Sequence, residues 1–184
     1  MAAPLATRKD LPAEYRLILA DYPREGWAGH PDFNGLAAFW LDRHLAFRQT
    51  LQRLTADTKA RIDRKLAPEA YAQRLVRQGS GLLSDLIGHH QIEDDAYFPQ
   101  LARLEPRIAR GFEMLDADHH ALHDLIDRFA KGANAALQAK DDAAQREKTA
   151  RFLTELRNFD RLLARHLDDE EDLVLPVVLK YRLG

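Results

Sequence analysis

The sequence predicts an all-α protein, an antiparallel up-down-up-down four-helix bundle with an N-terminal extension. Three observations carry this. Apolar residues recur at spacings of three and four in four separate stretches, the period of one helix face. Strand signals are weak, with few β-branched clusters and no tight hairpin dipeptide between alternating runs. The links between the four stretches are short, which places consecutive helices antiparallel. The 184 residues suit one domain with a hydrophobic core of its own.

Residues 1–34 read as the extension, with one short helix around "PAEYRLILADY". The first long helix follows "GHPDFNG", where Asp32 or Asn34 offers a cap, and runs from about residue 35 into the mid-50s. Residues 57–66 form a connector that is itself compatible with helix. The second helix starts near Pro68, a residue tolerated in a first turn, and runs to about Tyr97, with Pro99 just beyond. The third runs from near Pro106 into the late 130s. The fourth starts near Asp141 and Asp142, whose charge suits a helix N-terminus, and reaches about Glu171. Pro176 then interrupts the tail "DLVLPVVLKYRLG". The bundle domain is expected over 35–178, with 179–184 as a C-terminal tail. Gly79-Ser80-Gly81 falls in mid-helix, where each glycine weakens the helix by ~1 kcal/mol. Close approach of a second helix or a kink is the simple reading, and a ligand channel the other.

Composition narrows the function. With 46% hydrophobic and 30% charged residues, the chain has the make-up of a soluble globular protein. A net charge of −2, from 27 basic and 29 acidic residues, points to neither nucleic acid nor an anionic membrane surface as partner. The absence of cysteine excludes disulfides, thiolate metal sites and a cysteine nucleophile. No secretory leader pattern stands at the N-terminus and no run approaches ~18 apolar residues, so a cytoplasmic location without a membrane span is expected.

The eight histidines are the unusual supply. The inward stripe of the first helix reads Ala37, Trp40, His44, Phe47, Leu51, Leu54. That of the second reads Leu75, Gly79, Leu82, Leu86, His89, Glu93, Ala96. The third gives Phe112, Leu115, His119, Leu122, Ile126, Phe129, and the fourth Phe152, Leu156, Phe159, Leu163, His166, Glu170, Leu173. Each stripe is apolar except where it carries histidine, or histidine and glutamate. Residues i and i+4 share a helix face one turn apart, the spacing of His89–Glu93, His119–His123 and His166–Glu170. His123 sits beside its stripe, next to Leu122, and is included as a ligand. His30, His90 and His120 lie off the stripes and read as surface residues or as supports for the ligands. Asp94, Asp95, Asp168, Asp169 and Glu171 read as a solvated acidic face that attracts cations. Tyr97 reads as core packing.

An ionised carboxylate left alone in a core is very costly, and a buried imidazole needs partners for both nitrogens. A metal ion resolves the conflict, and imidazole with carboxylate suits iron, manganese or zinc better than calcium. Five histidines and two carboxylates exceed the needs of one ion, whereas two ions bridged by both carboxylates use all seven.

Four stretches then carry a resemblance: "DRHLAFRQTL", "HHQIEDDAYFPQL", "DHHALHDLI" and "HLDDEEDLVLP", over roughly residues 36–178. The chain resembles the hemerythrin-like, or HHE cation-binding, proteins, in the order H, H-x-x-x-E, H-x-x-x-H, H-x-x-x-E. The resemblance implies a four-helix bundle around a non-heme di-iron centre. His44 and His89 would bind one iron, and His119, His123 and His166 the other. Glu93 and Glu170 would bridge them beside an oxo or hydroxo group, with zinc or manganese able to substitute. The iron with two histidines would keep a position open to dioxygen or nitric oxide. Trp40, Phe47, Leu86 and Phe159 would wall that position against water. The oxygen carriers of the family have aspartate one residue further from the last histidine. Glu170, with links and an extension longer than the compact carriers need, therefore argues against pure oxygen transport.

The resemblance supports a di-iron protein that binds dioxygen or a related ligand for sensing, storage or iron handling. The alternative is an enzyme using the same centre on peroxide or nitric oxide, or in repair of oxidative and nitrosative damage. Family members with repair activity usually carry a cysteine-bearing N-terminal part, which this chain lacks. A histidine phosphotransfer module would need an exposed histidine. No E-x-x-H of ferritin-like sites and no H-E-x-x-H of zinc proteases occurs.

Overall fold

The computed structural model describes residues 3–183. Met1 and Ala2 of the expected extension and Gly184 of the expected tail lie outside them. Six α-helices follow one another: α1 (Arg24–Trp27), α2 (Gly35–Ile62), α3 (Pro68–Ile92), α4 (Phe98–Leu104), α5 (Ala109–Leu137) and α6 (Asp142–Tyr181). Short 3₁₀ turns occupy Ala13–Tyr15 and Pro106–Ile108, and a π-helical turn, Glu93–Tyr97, joins α3 to α4. No strand occurs among the described residues, and none of their helices is long and apolar enough to cross a membrane.

Three boundaries depart from the expectation for physical reasons. First, α2 continues through the expected connector to Ile62, because Thr58 and Arg61 are buried and hold its last turns in place. It ends where Arg64 turns into the left-handed region (φ 60°) and the Lys65 and Leu66 amides fold back onto the Ala60 carbonyl. Second, the helical path of α3 changes to the π-helical turn after Ile92 and resumes as α4 through Pro99. Third, α6 runs through Pro176 to Tyr181. Proline costs ~3 kcal/mol inside a helix. Six apolar neighbours, Leu173, Val174, Leu175, Val177, Val178 and Leu179, are each at most 1% exposed and overcome that cost, since burying one such side chain contributes about 1.5–3 kcal/mol. At its start α6 behaves as expected, with Asp141 Oδ1 accepting the Ala144 amide at 2.8 Å.

The chain divides into two compact units. Unit one comprises the chain up to Leu45 together with His89–His120 and Ala164 onward. Its core joins Leu11, Tyr15, Ile18 and Trp27 of the N-terminal segment to Trp40, Phe98, Phe112, Leu115 and the apolar end of α6. Trp27 Nε1 donates to the Tyr22 carbonyl at 2.8 Å. A Cβ added at Gly111 would stand 2.7 Å from Leu173 Cδ2, so α5 and α6 approach closely here only because glycine is present.

Unit two comprises Ala46–Gly88 and Ala121–Leu163. Phe129 packs edge-on to Phe152 and Phe159, with ring centroids 5.0 and 5.8 Å apart. Gly79 meets the Phe129 ring, where a Cβ would lie 3.3 Å from Cε1, while α3 passes through Gly79-Ser80-Gly81 unbroken. Close approach, the first of the two expected readings, is what this glycine provides.

Candidate metal centre

Each long helix brings its polar interruption to unit one. α2 supplies His44, α3 His89 and His90, the π-helical turn Glu93 and Asp94, α5 His119, and α6 His166 and Glu170. These side chains form two groups able to hold a metal ion: His44, His89, Glu93 and Glu170 in one, His90, His119 and His166 in the other. Within each group the donor atoms lie within 4.8 Å of one another. His44, His166 and Glu170 are fully buried, and His90, Glu93 and His119 are 1% exposed.

The imidazoles share one orientation. Nε2 faces the carboxylates: His89 to Glu93 Oε1 at 2.9 Å, His44 to Glu170 Oε1 at 3.3 Å, His166 to Glu170 Oε2 at 3.4 Å and His119 to Glu93 Oε2 at 3.5 Å. The Nε2 atoms of His44 and His89 are 3.1 Å apart. On the far side of three of the rings, Nδ1 meets an acidic residue: His44 meets Glu171 at 3.0 Å, His119 meets Asp94 at 2.8 Å and His166 meets Asp118 at 3.5 Å. The Trp40 indole N–H donates to Glu170 Oε1. His90 stacks on His119, with centroids 3.9 Å apart, and Phe98 stacks on His119 at 5.5 Å.

The electrostatics of so much buried charge are severe. Burial opposes a charge on His44, but Glu170 and Glu171 outweigh it and push the imidazole up to about 9. Burial, with the nearby His44 and His166 imidazoles, pulls His89 down to about 4 despite Glu170. His90 is pulled well below its ordinary value by burial and by the charges of His119 and His166. Burial and the facing Glu170 raise Glu93 well above the carboxylate range. Burial works in the same sense on Glu170, but His44, His89 and His166 together hold it well below. Asp94 rises to about 6 through burial and the charge of Asp116.

Of the seven residues named from the sequence, six fall in these two groups. The seventh, His123, is exposed and stands outside both. His90, read as lying off the stripe, is buried in the second group instead. Asp169 and Glu171, read as solvated, are buried as well, at 0% and 4% exposure, whereas Asp95 is exposed. Tyr97 packs edge-on against Trp40 at 5.0 Å, as core packing requires. A signal for His90 was present in the doublet: counting from Leu86, a step of three reaches His89 and a step of four reaches His90, and both steps are helical.

Comparison with protein families adds one finding. The hemerythrin HHE cation binding domain matches residues 35–178. The chain belongs to this family. No curated protein and no solved structure matches it.

The buried groups fit the cation that an HHE domain binds. Both Glu93 oxygens, Glu170 Oε2 and both His166 nitrogens are buried without a hydrogen-bond partner. Orphaned polar atoms of this kind are costly unless a further partner satisfies them. Two donors held at right angles, each about 2.1 Å from one ion, stand about 3 Å apart, the spacing seen between the Nε2 atoms of His44 and His89. On His44 and His119 an acidic residue bonded to Nδ1 fixes the tautomer that leaves Nε2 free to ligate, the arrangement common to metal-bound histidines.

Proposed function

We propose that the chain is a non-heme di-iron protein, built as an up-down-up-down bundle, that binds dioxygen or a related small ligand such as nitric oxide. Four long helices with short links support the topology. His44 and His89 would hold one ion and His90, His119 and His166 the other, with Glu93 and Glu170 available to both. His90 takes the place expected for His123, because His90 is the histidine that lies buried beside His119 and His166. The observation that carries the reading is the convergence of four Nε2 atoms on the carboxylates of Glu93 and Glu170, within 3.5 Å of one or the other.

Iron held there supplies a redox-active centre with a coordination position for an exogenous small molecule. The protein's own share is selection and support. The ion with two histidines has fewer protein donors than its neighbour, which leaves room for a ligand. Trp40, stacked edge-on to His89 at 6.0 Å and bonded to Glu170, excludes water on that side and favours a small uncharged guest. Glu171 and Asp94 keep His44 and His119 in the ligating tautomer. Iron is the metal proposed, and zinc or manganese suits the same donors.

The test is elemental analysis of freshly purified protein together with its near-ultraviolet and visible spectrum. About two irons per chain and an absorption band that changes on adding azide or nitric oxide are expected. A chain that remains colourless after anaerobic iron loading and exposure to air overturns the reading. A long-lived oxygen adduct in stopped flow supports binding, whereas rapid oxidation with peroxide turnover replaces it with the enzymatic alternative.

A further inference from the structure

The segment before residue 35 lies outside the matched domain, yet it reaches the acidic residues that back the histidines. Arg8 is 6% exposed, unusual for a guanidinium. Its Nε donates to Asp169 Oδ2 at 2.7 Å, while Nη1 donates to Asp118 Oδ1 at 3.2 Å and Nη2 to Asp118 Oδ2. Arg24, on α1, donates through Nη1 to Glu171 Oε2 at 2.8 Å, through Nε to Asp172 Oδ1 at 2.6 Å and through Nη2 to the Asp168 carbonyl at 2.8 Å. The carboxylates so held are those that face His166 and His44: Asp118 Oδ2 is 3.5 Å from His166 Nδ1, and Glu171 Oε1 is 3.0 Å from His44 Nδ1. The hydrogen-bonded chain Arg24–Glu171–His44 thus ends on the first group, while Asp118, held by Arg8, faces His166 of the second group across 3.5 Å without a hydrogen bond.

We propose that the N-terminal segment is a working part of the metal centre through two positioning residues: Arg24 locks Glu171 and, through its hydrogen bond, fixes the Nε2 direction of His44, while Arg8 locks Asp118 in place facing the His166 ring. This rests on the proposed di-iron reading and names a control of that site which the matched domain does not contain. The physical case has two parts. A guanidinium fork meets a carboxylate through fixed donors, so the carboxylate behind each imidazole cannot rotate. Glu171, so held, accepts from His44 Nδ1–H and leaves Nε2 as the electron-pair donor. The histidine backed by Asp94 is a built-in comparison, since neither arginine reaches that carboxylate in the bonds described above.

The experiment compares iron-loaded wild type with Arg8→Ala, Arg8→Lys, Arg24→Ala, Arg24→Lys and, as a charge control, Arg151→Ala, whose partner Glu147 is a surface residue. Three readouts apply: the rate of iron release to a chelator, the position of the azide-adduct band, and the imidazole nitrogen shifts of the metal-free protein. Supports of metal-bound histidines are typically worth 10–100-fold in metal affinity, so release should quicken by about that factor in the alanine variants. The lysine variants should recover part of the loss. Arg151→Ala should match wild type. Arg24→Ala should also move the metal-free His44 signals while leaving those of His119 in place, which a general loosening of the fold would not do. Arg24 is about two-fifths exposed, so it decides the matter if Arg8→Ala does not fold. Release within about twofold of wild type, with an unmoved band in a folded Arg24→Ala, overturns this inference alone. A wild type that holds no iron overturns the proposed function and this inference with it.

Discussion

His89 and His90 are neighbours in sequence but belong to different groups, one with His44 and the two glutamates, the other with His119 and His166. Adjacent residues on a helix point about 100° apart, so a doublet can serve two sites only if the space between the helices is divided between them. His90→Ala should therefore lower iron content by about half, while His123→Ala, at an exposed position, should leave it within error. Elemental analysis of the two purified variants checks this, and the opposite ranking would restore His123 as the ligand. Much at this scale was legible in the sequence. Histidine and glutamate interrupting otherwise apolar stripes led to His44, His89, Glu93, His119, His166 and Glu170, all of them in the two groups. That His90 lies with His119 and His166 was not legible, because steps of three and four from Leu86 are equally helical and only packing selects between them. Asp169 and Glu171 were missed for a related reason: in a run of acidic residues, burial depends on cations supplied from far away in sequence, here Arg8 and Arg24.

Helices carry a second set of consequences. Glycine costs a helix about 1 kcal/mol relative to alanine, but the gain on substitution is realised only where a methyl group fits. Around Gly81 nothing stands within 4 Å of an added Cβ. Gly81→Ala should stabilise the protein by about 1 kcal/mol, a rise of about 2–4 °C in Tm for a chain of this size. At Gly132 the same methyl would lie 2.9 Å from Phe152 Cδ2, and at Gly111 it would lie 2.7 Å from Leu173 Cδ2, so both substitutions should lower Tm. Thermal melts of the three variants test this; a destabilised Gly81→Ala or a stabilised Gly111→Ala would show that helix packing differs from that described. The four long helices were legible from periodicity, but their ends were less so. Pro176 is a sound break signal in isolation and fails because the residues around it are buried on every side. The π-helical turn at Glu93–Tyr97 has no local sequence mark, although it falls at the candidate metal centre, and such turns often accompany functional sites.

At the scale of the whole molecule, the buried charges predict how stability follows pH before and after metal binding. In the metal-free protein His44 is pushed up to about 9 from an ordinary 6.5. A proton is then retained in the native state after the unfolded chain has lost it, so the stability His44 contributes is complete below about 6.5 and disappears as pH rises through about 9. Glu93, raised well above 4.5, acts in the same sense, since only the unfolded chain is free to ionise there. Other groups act at the acid end, among them Glu170, His89 and His90. Glu170 is held well below 4.5, so its contribution is present above that value and is lost as pH falls. His90 is kept neutral, and protonation of the unfolded chain below 6.5 also favours unfolding. The metal-free protein should thus lose stability between about pH 7 and pH 9. Bound metal takes the place of the protons on His44 and Glu93, and its affinity rises with pH because ligation requires them to leave. Iron-loaded protein should therefore keep its Tm over the same interval. At pH 8 it should melt about 10 °C above the metal-free form if free metal exceeds its dissociation constant ~1,000-fold, a gain of ~4 kcal/mol. Differential scanning calorimetry of both forms from pH 5 to pH 9 measures the two curves. Parallel curves would mean that no proton is displaced by the metal, and the ions would then not sit among these side chains.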